Sequence, residues 1–212
     1  MHTPFISVRI SAAILLLTAT ALVQAQDAVG TVRDYFAELS SLQAGFHQKV
    51  VDADNILQQV SDGQMWIQRP GKFRWDYETP YRQQIISDGE RLWSYDEDLE
   101  QVTVQAIDKV LTSTPAMLLS GLRPVEEVFE MEALPAAEGL LHARLQPRSD
   151  DSNINEIHLY FVNDDLVRIE AMDGFGNTTT FDFSGLQRNA DLESKLFHFE
   201  PPPGVDVVGG PD

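Results

Sequence analysis

The sequence predicts a mainly β member of the α+β class, built on one large antiparallel sheet with two helical stretches. Three observations predict it. Apolar and polar residues alternate over many short runs. Tight-turn signals separate those runs at short intervals. Two stretches break the alternation, and one of them carries helical spacing instead.

The elements follow in order. Residues 27–42 read as one amphipathic helix, because Val29, Val32, Phe36 and Leu39 recur at spacings of three and four. Asp27 stands where an N-cap is expected. The period then changes to two. Phe73, Trp75 and Tyr77 alternate with Lys72, Arg74 and Asp76. Trp93 and Tyr95 flank Ser94, and Val102 and Val104 flank Thr103. Ile157, Leu159 and Phe161 alternate with polar neighbours, as do Val167, Ile169 and Ala171, and Thr179, Phe181 and Phe183. Pro70-Gly71, Asp88-Gly89, Asn163-Asp164-Asp165 and Asp173-Gly174 supply turns. A second helix is expected near 108–121, with Pro115 early in it and Gly121 ending it.

A sheet this large must bury an apolar face. A closed barrel would do so, as would a two-sheet sandwich. A curved, partly closed sheet capped by the two helical stretches is the third solution. The third leaves a space between sheet and helices that could hold a guest.

The first 25 residues read as a signal peptide. Arg9 gives a short positive region, 10–23 are apolar or small and uncharged, and Val23-Gln24-Ala25 suits a peptidase. The apolar run is too short for a comfortable membrane span. Residues 26–212 are expected to form a single domain. The absence of cysteine excludes a lipid anchor on this chain and any disulfide, so stability must come from a core. Net charge is −18, and cleavage removes one base and no acid. Such a surface repels nucleic acid and anionic membrane faces.

No catalytic signature stands out. Gly174-Phe175-Gly176 lacks the rest of a dinucleotide fingerprint, and no P-loop, zinc-protease helix or nucleophile elbow occurs. His47, His142, His158 and His198 are scattered without ligand spacing. Asp96, Asp98 and Glu100 alternate, which would put them on one side of a strand, but no partner motif accompanies them. Neither metal, cofactor nor enzymatic activity is therefore expected. What is prominent is apolar: Met65, Trp66, Ile67, Phe73, Trp75, Tyr77, Trp93 and Tyr95. Arg69 shares the parity of Met65 and Ile67. It either reaches solvent from a strand end or turns its five donors on the carbonyls of a covering helix or loop.

At these residues the chain closely resembles the LolA family of periplasmic outer-membrane lipoprotein carriers. The resemblance rests on Gly63-Gln64-Met65-Trp66-Ile67-Gln68-Arg69-Pro70-Gly71-Lys72-Phe73-Arg74-Trp75. It continues through Ser87-Asp88-Gly89, Leu92-Trp93-Ser94-Tyr95, Glu100-Gln101-Val102-Thr103 and Thr114-Pro115-Ala116-Met117-Leu118-Leu119. Asp173-Gly174-Phe175-Gly176-Asn177, Phe197-His198-Phe199 and Pro203-Gly204-Val205-Asp206 complete it, while 122–155 adds little.

The resemblance implies an incomplete, half-closed antiparallel barrel covered by a lid of helices and enclosing an apolar cavity. It implies a periplasmic monomer that takes triacylated lipoproteins from the inner-membrane LolCDE transporter and delivers them to the outer-membrane receptor LolB. Arg69 matches the family's lid-locking arginine, and Phe73 a cavity-mouth position. Met65, Ile67, Phe73, Trp75, Ile86, Trp93, Tyr95, Met117 and Leu118 are the expected acyl-chain contacts. The alternatives are a periplasmic lipoprotein sensor with a similar half-barrel, a lipid or sugar hydrolase, and a plain structural domain.

Overall fold

The computed structural model describes residues 29–107, 115–149 and 152–210, the side chains of 115–117 excepted. The expected signal peptide, the Asp27 cap and the 108–114 part of the second helix lie outside them. A helix over 29–38 (α1) leads into β1 (Ser41–Val51), β2 (Leu57–Gln68), β3 (Lys72–Thr79), β4 (Gln83–Asp88), β5 (Arg91–Asp96) and β6 (Gln101–Ala106). Helices α2 (Pro115–Ser120) and α3 (Val125–Val128) follow. Then come β7 (Phe129–Leu134), β8 (Leu140–Pro147), β9 (Ile154–Val162), β10 (Asp165–Asp173), β11 (Thr178–Arg188), a 3-10 turn at Ser194–Phe197, and β12 (Asp206–Gly209).

Among the described residues, twelve strands form one sheet in the order β12-β6-β5-β4-β3-β2-β1-β11-β10-β9-β8-β7. The end strands β12 and β7 do not pair, so the sheet is open rather than a closed barrel or a sandwich. Every pairing is antiparallel except β12 with β6, which is parallel.

The first helix stops earlier than its apolar spacing suggests, and β1 takes the residues from Ser41 onward. Asn189, at φ 56°, explains the stop. Its side-chain oxygen accepts the Ser40 backbone N–H at 2.8 Å, and its amide donates to the Glu38 carbonyl at 3.2 Å. The free groups at the helix end are met from the sheet, and the chain turns into β1. A second departure occurs in β10. The register shifts between Leu166 and Arg168, so Leu166 rather than Val167 is buried with Ile169 and Ala171. A third lies at 97–100, which is a turn. Asp96, Asp98 and Glu100 therefore do not share one side of a strand.

Register sorts the inner face into layers. Leu42, Ile67, Phe73, Ser87 and Leu92 lie in one row, at the end of the sheet that carries Arg69. Ala44, Met65, Trp75 and Ile85 form the next row, then Phe46, Gly63, Tyr77 and Gln83. Gln48 and Ser61 pair at the far end. The face thus runs from apolar to polar along the strands. Helix α1 lies over it, with Val32, Tyr35 and Phe36, and Leu39 just past its end, buried in the same core as Leu159 and Phe161.

Candidate functional site

Arg69 follows β2 directly and turns onto the helices. Its Nε donates to the Leu119 carbonyl at 2.8 Å, Nη1 to Phe36 at 2.5 Å, and Nη2 to Leu118 at 3.4 Å. Phe36 lies in the last turn of α1, and Leu118 and Leu119 in the last turn of α2. Last-turn carbonyls have no partner within their own helix and carry the negative end of its dipole. One guanidinium therefore caps two helix C-termini at once. Its carbon also sits 5.4 Å from the Phe36 ring centre. Burial pulls the Arg69 pKa below its usual value, yet a guanidinium stays protonated at any working pH.

Glycine makes room for this contact. A Cβ on Gly121, at φ +65°, would meet Arg69 Nε at 2.6 Å. The Gly71 N–H donates to the Ser120 carbonyl at 2.9 Å, and the Arg69 N–H to the Ser40 carbonyl at 2.9 Å. Two strands, the turn between β2 and β3, and both helices meet here. The sequence marks Gly121 only as a helix end; its second task, clearing space for the arginine, depends on tertiary position.

The residues expected to line a cavity divide between two faces. Met65, Ile67, Phe73 and Trp75 are buried on the inner face in one cluster, with Leu118 packed against it. Phe73 is only 2% exposed and lies in the row nearest Arg69 rather than at an open rim. Ile86 pairs with Trp93, and Trp93 with Val104, so these three lie on the opposite, outer face. Tyr95 shares that face. Trp93, Val102 and Val104 form a separate small core with Tyr95, Phe199 and Val205. The C-terminal segment covers them, with the Trp93 and Phe199 rings 6.3 Å apart. The side chain of Met117 lies outside the described residues. Alternation cannot show which face of the sheet an apolar row occupies, and this explains the misplacement.

At the far end of the inner face a groove of about 350 Å³ opens between Gln59, Ser61, Tyr77, Tyr81, Gln83 and Asp96. Its lining is mixed, with a serine, two glutamines and the carboxylates of Asp96 and Asp98 among aromatic rings. Among the described residues no group of three or more metal-ligating side chains is gathered in one place.

The histidines are less scattered than their spacing suggests. His142 on β8 and His158 on β9 meet on the outer face, Nε2 to Nδ1, at 2.8 Å. His142 stacks on Tyr160 at 4.3 Å, and the Tyr160 hydroxyl donates to Glu170 at 2.9 Å. Burial and that hydrogen bond push the Tyr160 pKa up to about 12. Burial, and then the neighbouring His158, hold the His142 pKa below 6.5. The folded protein thus favours neutral His142, and the unfolded chain binds the extra proton as pH falls through about 6.5. Stability from this site is present above that pH and lost below it. A His142→Asn variant should therefore lose less Tm than the parent between about pH 7.5 and pH 5.5, read by thermal unfolding.

Among the described residues, one side chain at the end of β2 thus ties the C-terminal ends of two helices to an open sheet. The family model for the outer membrane lipoprotein carrier protein LolA matches residues 37–200. The chain is 42% identical over 183 residues to an outer-membrane lipoprotein carrier protein of Methylobacillus flagellatus, covering 86% of this chain and 89% of that one. It is 36% identical over 206 residues to the protein of the same description from Bordetella avium, covering 97% and 99%. An uncharacterized conserved protein of Thermus thermophilus shares the fold, with a TM-score of 0.51 at 14% identity over 86% of this chain and 97% of that one. The chain belongs to the LolA family.

Proposed function

We propose that this protein is a periplasmic carrier that shields the acyl chains of lipoproteins and delivers them to the outer membrane. The single observation that carries the reading is Arg69 bridging the C-termini of α1 and α2 from the end of β2. A contact made of three hydrogen bonds to main-chain oxygens can be broken and remade without unfolding the sheet. Membership of the LolA family and the names of its relatives support the same reading. Neither a sensor nor a hydrolase is favoured by any of these names.

An acyl chain in water costs roughly 0.8 kcal/mol per methylene, so several chains cannot cross an aqueous compartment bare. The carrier covers them by letting its helices swing off the inner face. Met65, Ile67, Phe73 and Trp75 then meet the chains, together with Leu118 on the moving side. Closing the cover over an empty protein hides the same surface from water. The latch opposes loading by a few hydrogen bonds, so bound cargo is held less tightly than its buried area alone would give. The chain acts without enzymatic chemistry, as a monomer cut after Ala25. LolCDE loads it from the inner membrane, and LolB receives the cargo.

The test is direct. The protein isolated from periplasm should carry triacylated lipoproteins, detected by mass spectrometry in the purified complex. Recovery of the protein with no acylated companion, from cells exporting lipoproteins normally, would overturn the carrier reading.

A further inference from the structure

A second groove, of about 360 Å³, lies beside the latch. Arg33, Arg69 and Arg123 line it, with Phe36, Leu118 and Val125 as its apolar wall. Glu126 is the single carboxylate among its lining residues. Three guanidinium groups around one groove are conspicuous on a chain with 33 acids against 15 bases.

The charges are poorly matched. Arg33 reaches Glu126 at 3.5 Å and Arg123 reaches Glu127 at 3.6 Å, and all four side chains are more than 40% exposed. Exposed pairs of this kind contribute little and exchange readily. Arg69 has no carboxylate within ion-pair distance among the described residues; its partners are carbonyl dipoles. Among the described residues, those three bonds leave two of its five N–H groups unused. A half-buried guanidinium with spare donors, beside two loosely held ones, suits a tetrahedral oxyanion.

We propose that this groove is a phosphate-recognition site, and that its occupant draws Arg69 away from the helix carbonyls. The binding claim stands on the groove alone; the unlatching claim rests on the carrier reading above. A phosphate takes the free donors of Arg69 together with Arg33 and Arg123. The weak 3.4 Å bond to Leu118 is the first that such a ligand replaces. The cover then loosens where phosphate is concentrated, as it is at a phospholipid surface.

The experiment titrates inorganic phosphate, and separately sub-micellar dihexanoyl-phosphatidylglycerol, into the full mature protein while amide and arginine Nε–H resonances are followed by NMR. Sodium chloride at matched ionic strength is the control. The expected result is saturable movement of the Ala37, Gly121 and Val125 amides and of Arg69 Nε–H. The double variant R33Q/R123Q, altered only at exposed positions, should weaken binding by about fivefold or more. Saturation by both ligands identifies phosphate itself as sufficient; saturation by the lipid alone identifies the headgroup as the source. Movement matched by chloride, or unchanged in the double variant, overturns the site. Movement of the amides with Arg69 Nε–H unmoved overturns the unlatching. The periplasmic cargo measurement can fail without touching this titration, so the two readings fall separately.

Discussion

Replacing Arg69 by leucine leaves the sheet folded and leaves the protein holding cargo it cannot pass on. The side chain is not part of the strand pairing, so the twelve-stranded order survives its loss. What disappears is the link from the end of β2 to the carbonyls of Phe36, Leu118 and Leu119. Hydrogen bonds to a charged donor contribute about 1.5–3 kcal/mol, and these carbonyls can partly recover by meeting water. A loss of about 2 kcal/mol of closure energy is therefore expected. Closure competes with cargo, so that loss should tighten retention roughly thirtyfold, a tenfold change being about 1.4 kcal/mol. In a purified hand-off assay the variant should load lipoprotein and fail to release it to the receptor. Hydrogen exchange should quicken in α1 and α2 and stay slow in β1 and β11. Lysine at the same position should restore little, since a point charge cannot address three carbonyls from two helices. Gly121→Ala should mimic the defect with Arg69 intact, because its Cβ would displace the guanidinium. Normal transfer by the leucine variant would refute the latch.

Much of this was legible in the sequence, and what was not has a common cause. Period-two runs located β3, β5, β6, β9 and β11, because a half-buried strand writes its two faces into alternate residues. Strand β1 was hidden. Its inner row is Leu42, Ala44, Phe46 and Gln48, which weakens from apolar to polar along the strand. The preceding helical spacing ran straight into it, and the residue that ends the helix, Asn189, is almost 150 positions away. Arg69 could be picked out because a charge of inner parity demands a partner. The two-face error at Ile86, Trp93 and Tyr95 arose because parity is relative within a strand and absolute only across a register. The C-terminal segment that buries them carries Phe199 and Val205, which resemble ordinary loop residues until the sheet is assembled. The His142–His158 contact was likewise invisible, since cross-strand neighbours 16 positions apart leave no spacing rule in the chain.

Gly63→Ala should be the most damaging single methyl in the molecule. Gly63 sits in β2 between Phe46 of β1 and Tyr77 of β3, where the register also shifts. A Cβ there would lie 2.0 Å from the Asp76 carbonyl oxygen and 2.7 Å from the edge of the Phe46 ring. The first contact is with main chain, which no rotamer change relieves. The absent side chain is what lets β3 close on β2 and the Phe46 ring lie over both. That ring then reaches Trp75 at 5.3 Å, Tyr77 at 5.1 Å and Phe181 at 6.0 Å, while Trp75 and Phe181 meet at 5.3 Å. Strands β3 and β11 are three places apart in the sheet, about 14 Å if it were flat. Their side chains touch because the face is concave and the rings are large. Alanine at 63 therefore strains the strand pair and lifts the ring that spans the bend. A loss of more than about 3 kcal/mol is expected, read as a fall in the urea midpoint. Adding Phe46→Leu should recover only part of it, since the ring can be trimmed but the Asp76 carbonyl cannot. An unchanged midpoint in Gly63→Ala would mean that the bend at β2 does not depend on this close approach, and the inner face would need another source of its curvature.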